Sequence, residues 1–149
     1  MSAFWQGLTN VQVLDLTKCN ISYLPFEIFR MVKLQKLYLS KNNISELPVE
    51  ILHLKELTEL SLAKNSLTTI PQEIGHLKNL VYLNLKRNMI SSLPAPLGFL
   101  EKLKDPPEPK GMPLSLCSKK GYLLTHIINH TKLKWDLSWI QAQNSLLVM

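Results

Sequence analysis

Four cations recur at a fixed interval along the chain: Lys18, Lys41, Lys64 and Arg87, each 23 residues after the last. Each precedes Cys19, Asn42, Asn65 or Asn88. Lysine and arginine side chains donate hydrogen bonds and accept none, so a regular series of them suits one kind of chemistry, the recognition of anionic groups. Other chemistry-bearing residues are sparser. His126 and His130 are four apart and could share a helix face as metal ligands, but no third ligand of suitable spacing accompanies them. Solvated or packed histidines are expected there, and surface histidines at His53 and His76. The sequence contains no GxxxxGK[ST], GxSxG, HExxH or CxxC pattern. No catalytic residue, cofactor or metal site is expected, and the chain does not read as an enzyme.

The cations belong to a longer phrase. "TKCNISYLP" at 17–25 returns as "SKNNISELP" at 40–48, "AKNSLTTIP" at 63–71 and "KRNMISSLP" at 86–94. Units begin at Val11, Leu34, Leu57, Leu80 and Leu103, with apolar residues at repeat positions 1, 4, 6, 11, 14, 18 and 21. The start of each unit, such as "LQKLYL", alternates like a strand with one buried face. The end, such as "PVEILHLKE", spaces its apolar residues as a short helix or 3₁₀ turn would. A unit this short cannot bury its own apolar side, so stability must come from stacking on its neighbours. The expected fold is therefore a solenoid of the α/β class.

The pattern LxxLxLxxNxIxxLPxxIxxLxx resembles the leucine-rich repeat, over roughly the first 102 residues. Its LP-x-x-I ending, in 23-residue repeats, resembles the intracellular Ras-group subtype found in signalling scaffolds. The resemblance implies short parallel strands on a concave face, with short helices or 3₁₀ turns on the convex face. It also implies an asparagine ladder at Asn42, Asn65 and Asn88, where an amide supplies both donors and acceptors to a buried turn. Cys19 takes the ladder position of the first repeat and is expected as a small buried residue. Pro25, Pro48, Pro71 and Pro94 suit the first turn of a short helix, where a missing N–H is no loss. Glu27, Glu50 and Glu73 follow two residues later, where negative charge favours a helix N-terminus.

Composition fits a soluble chain: 149 residues, net charge +6, and no apolar run long enough to span a bilayer. "MSAFWQGLTN" lacks the basic start and apolar stretch of a secretory signal. Cys19 and Cys117 lie far apart, without the cysteine-rich caps of secreted relatives, and a cytoplasmic location is expected. Three Asn-x-Ser/Thr sequons, at Asn20, Asn43 and Asn129, argue weakly the other way; two of them fall out of the repeat itself. The array is expected over 1–104, as a partial repeat at 1–10 and four repeats at 11–102. Pro106 replaces the second leucine of a fifth strand, and residues 105–112 read as a proline-rich linker. The tail, 113–149, has no repeat pattern, and part of it is expected to fold back as a cap over the last repeat.

Within the implied fold, the outward positions of the strand side are 2, 3, 5, 7 and 8. Position 8 holds the cation column, Lys36 and Lys86 add to it, and Asp15 and Glu59 oppose it. That surface carries the whole excess of twelve Lys and Arg over eight Asp and Glu in residues 1–104. Tyr38 and Tyr82 stand among the cations, and tyrosine is enriched at interfaces. Lys18, Lys36, Tyr38, Lys41, Lys64, Tyr82, Lys86 and Arg87 are thus the candidate surface for a protein partner with an acidic face. The expected role is an adaptor or scaffold-type interaction module in intracellular signalling. Against this, lysine is common before the ladder asparagine in the family, and exposed charge pairs are worth under about 1 kcal/mol. The alternative expectation is a truncated product of a longer repeat protein with reduced or no binding. A minor third option, suggested by the pI near 9.4, is peripheral binding of anionic membrane or nucleic acid. Against it, the cations form no basic amphipathic helix or aromatic stacking platform, and neither a nucleic-acid partner nor a membrane span is expected.

Overall fold

The computed structural model describes residues 7–103. Trp5, the linker at 105–112 and the tail at 113–149, with the expected cap, His126, His130 and Cys117, lie outside the described residues.

Four strands form one parallel sheet in chain order: β1 (Val13–Asp15), β2 (Lys36–Tyr38), β3 (Glu59–Ser61) and β4 (Tyr82–Asn84). The register aligns Leu14, Leu37, Leu60 and Leu83 across the sheet. These central leucines point inward, as strand alternation requires, and those of β2, β3 and β4 are buried. Three residues per strand suffice because the inward leucines stack in a continuous line, joined by Leu39, Leu62 and Leu85 two positions on.

Each strand returns through a five-residue 3₁₀ helix: Phe26–Arg30, Val49–His53, Gln72–His76 and Ala95–Phe99. The repeated proline sits one residue before each helix, at the N-cap, and not inside the first turn. Its φ of −64° to −68° is set by the ring, and its carbonyl accepts the first helical N–H, as in Ile28 N–H to Pro25 O at 3.1 Å. The missing proline N–H lies beyond the helix and leaves no gap. Glu27, Glu50 and Glu73 fall in the first turns, as charge complementarity favours; the fourth helix has Pro96 there instead. Ile28, Ile51, Ile74 and Leu97 form the buried stripe that meets the strand leucines. Gly75 lies so close to the next helix that a Cβ would stand 2.5 Å from Pro96 Cβ.

Between strand and helix runs the asparagine ladder. Asn42 accepts the N–H groups of Cys19 and Ile21, both at 3.0 Å, and donates to the carbonyls of Leu16 and Leu39, both at 2.9 Å. Asn65 and Asn88 repeat the arrangement, each donating to its own and the preceding repeat. Each amide thereby satisfies backbone groups that tight stacking would otherwise leave without water. Cys19 departs from expectation: it is exposed. β1 is the first strand of the sheet, so Cys19 lacks a preceding ladder residue among the described positions and closes no buried turn; its Sγ reaches only Thr17 O, at 3.6 Å. Leu14 and Leu16 on the same edge are only partly buried.

Candidate interaction face

Position 8 has a backbone conformation that its side chains do not favour. Lys18, Lys41, Lys64 and Arg87 have φ of 57° to 59°, in the left-handed region. Among described residues other than glycine, only Asn20 joins them. A Cβ crowds the following carbonyl in this conformation, at a cost of about 1 kcal/mol per residue, and glycine or asparagine fits it better. The turn itself is architectural, because it swings the chain from the strand into the ladder. The presence of a cation at all four such turns is a separate fact, which turn geometry does not require.

Backbone hydrogen bonds hold the column in line. Lys18 N–H donates to Ser40 O at 3.1 Å, Lys41 N–H to Ala63 O at 2.8 Å and Lys64 N–H to Lys86 O at 2.8 Å. The spacing of the cations therefore follows that of the parallel ladder, about 4.8 Å per step. All four side chains are exposed. Lys18, and after it Lys64, hold the Lys41 ammonium below the usual lysine range, since each like charge disfavours another proton nearby.

The rest of the surface has already found partners. Lys36 Nζ lies 2.9 Å from Glu59 Oε1, and the Tyr38 hydroxyl donates to Glu59 Oε2. The Tyr38 hydroxyl, and next Lys36, lower the Glu59 carboxyl; Glu59 in turn raises both partners. Lys36 and Glu59 thus cancel, and Tyr38 presents its hydroxyl to a neighbour inside the face. Tyr82 is 47% exposed, and its hydroxyl accepts from Asn84 Nδ2 at 3.1 Å. Asn84 Oδ1 also accepts the N–H of Lys86, whose side chain is half-buried. Asp15 accepts the Thr17 N–H at 2.9 Å; hydrogen bonding from the Thr17 side chain, and next from that N–H, holds its carboxyl below the ordinary range. Ser40 and Ser61 pair their hydroxyls at 2.7 Å.

The expected surface therefore divides. Lys18, Lys41, Lys64 and Arg87 form a row of like charge, whereas Lys36 and Tyr38 belong to a compensated cluster. The pairing of Lys36 with Glu59 was open to sequence reasoning, because opposite charges at position 3 of adjacent repeats face each other across parallel strands. The left-handed turn carries no signal in a lysine or arginine. On the opposite side of the array, Lys33 and Glu56 pair at 3.0 Å between adjacent repeats, and His53 and His76 are exposed in the last turns of their helices. Among the described residues, no group of three or more His, Cys, Asp and Glu could hold a metal ion.

The family "Leucine rich repeat" matches residues 9–67, 32–90 and 55–104. Among solved structures, a leucine-rich repeat protein of Leptospira interrogans is similar at 45% identity and a TM-score of 0.56, covering 57% of this chain and 22% of its own. The ectodomain of the Arabidopsis thaliana membrane receptor kinase GASSHO1/SCHENGEN3, in complex with CASPARIAN STRIP INTEGRITY FACTOR 2, is similar at 34% identity and a TM-score of 0.57, covering 65% of this chain and 12% of its own. The BIR3–SERK2 complex of Arabidopsis thaliana contains a chain similar at 32% identity and a TM-score of 0.59, covering 63% of this chain and 53% of its own. The matched part is thus a fifth, an eighth and about half of these three relatives. No curated protein matches. No helix among the described residues is long and apolar enough to cross a membrane. Repeated motif, parallel sheet, 3₁₀ returns and family match agree: the chain belongs to the leucine-rich repeat proteins, whose repeat domains are protein-interaction modules.

Proposed function

We propose that this chain is an adaptor-type interaction module that docks an acidic surface of a protein partner on the concave, strand side of the array. The observation that carries the reading is the row Lys18, Lys41, Lys64 and Arg87. Four cations occupy turns where their backbone is disfavoured and where at least one of them is charge-strained by its neighbours. An anionic partner relieves that repulsion, so the like-charge part of what the row costs in the free protein returns on binding. Lys36, Tyr38, Tyr82 and Lys86 complete the contact surface, with Tyr82 as its exposed aromatic anchor. The LP-x-x-I ending of the repeats resembles the Ras-group subtype, and on that resemblance the module works in the cytoplasm, within a signalling assembly.

The test is charge reversal of the inner row. Lys41→Glu combined with Lys64→Glu should abolish recovery of partners from cytosol, identified by mass spectrometry against an untagged control, while the circular dichroism spectrum stays unchanged. Recovery of the same proteins at the same yield by wild type and variant would refute the reading.

A further inference from the structure

The row has a geometry as well as a charge, and the geometry selects among shapes of acidic partner. We infer that the element docked on this face is an α-helix lying across the strands, with acidic residues at i, i+3, i+7 and i+10 opposite Lys18, Lys41, Lys64 and Arg87. This rests on the proposed acidic-partner reading and adds the secondary structure of the partner.

Four cations at about 4.8 Å per step span about 14 Å. An α-helix rises about 1.5 Å per residue, so the four positions of that stripe fall at about 0, 4.5, 10.5 and 15 Å. Each lies within about 1 Å of a cation, well inside the reach of a lysine or arginine side chain. An extended strand presents same-face residues about 6.7 Å apart, and its fourth acidic residue overshoots the row by about 6 Å. A polyproline II segment repeats a face every 9 Å or so and meets only alternate cations.

Relief on the face agrees with a rod laid parallel to the row. Directly beside it, position 7 carries Thr17, Ser40 and Ala63, a low floor just past the ends of β1, β2 and β3, with Lys86 in the fourth repeat. Ser40 satisfies its hydroxyl on Ser61, so at the middle of this floor it makes no polar demand that an apolar flank of a helix would leave unmet. Tyr82, 47% exposed, rises on the far side of the floor, where it can close on the helix from the flank opposite the cations. The backbone bonds that join Lys18, Lys41 and Lys64 to the next repeat keep the spacing from adapting to a partner of another pitch.

The experiment uses the full chain and two alanine-based peptides of about 15 residues with equal composition and helicity. One carries glutamates at i, i+3, i+7 and i+10; the other distributes the same four around the helix. Calorimetric titration at low salt should show the striped peptide binding at least about tenfold tighter. Lys41→Asn with Lys64→Asn, which removes charge while keeping a residue suited to positive φ, should erase that preference. Equal affinity for both peptides, or no binding of either, overturns the helix inference. So does a glutamate-rich peptide held extended by proline that binds as tightly as the striped helix. The acidic-partner reading fails separately, when charge reversal at Lys41 and Lys64 leaves partner recovery intact.

Discussion

Lys64 and Asn65 are neighbours in the chain and opposites in what they contribute. The asparagine turns inward and is engaged by Ile44 N–H, Leu39 O and Leu62 O. The lysine turns outward, on a left-handed backbone, beside cations of the adjacent repeats. Both residue types recur with the same period, so recurrence alone does not separate architecture from function. The energetic sign does: position 9 stabilises the stack, whereas position 8 costs it something, and a repeated cost is the better candidate for a role outside folding.

That contrast can be broken at several points. The inner scale is set by the core, where Leu62→Ala should cost about 2–5 kcal/mol, read as a lowered denaturation midpoint. A smaller loss is expected from Asn65→Ala, about 1–3 kcal/mol, because backbone groups of two repeats lose their buried partner. A midpoint unchanged by that replacement would mean that water substitutes for the amide and that the ladder is not a distinct source of stability. Lys64→Asn should act in the opposite direction, raising stability by up to about 1 kcal/mol as left-handed strain and like-charge repulsion are both reduced. A clear loss from this change would place position 8 with the architecture and dissolve the contrast.

The smallest effect belongs to the compensated cluster. Glu59 has a lowered carboxyl pKa in the folded chain, so its contribution is present above the unfolded value near 4.3 and is lost as pH falls through the lower, folded value. Glu59→Gln should therefore lower stability at neutral pH by less than about 1 kcal/mol, and wild type and variant should converge in strong acid. Parallel stability curves across that range would show that the cluster adds nothing through charge.

Much of the fold was legible because seven apolar positions per unit repeat their spacing, and such a pattern can be buried only by stacking. Leu37, Leu60 and Leu83 are buried where the period places them. The cation row was equally legible as residue types. Its backbone conformation was not, since lysine marks no turn in the way that glycine or asparagine does. Cys19 misled because a periodic rule treats every repeat as an inner one, while exposure at the first strand depends on what lies beyond it. The engagement of Tyr38 is not legible in the repeat columns, because its bond to Glu59 joins different positions of adjacent repeats, a diagonal that a column-by-column reading does not follow.

The close approach of Gly75 to Pro96 reaches beyond the two helices involved. On the strand side, the distance between repeats is fixed by backbone hydrogen bonds; on the helix side, it is set by the bulk of whatever stands between. An array built this way behaves like an arch, whose curvature is decided by the thickness of its outer stones. A methyl group at Gly75 would act as a wedge between the third and fourth helices and bend the opposite surface inward. Lys64 and Arg87, in the turns after β3 and β4, would then tilt toward each other without any change at their own positions. A residue on the far side of the molecule thereby helps to determine how flat the charged row lies.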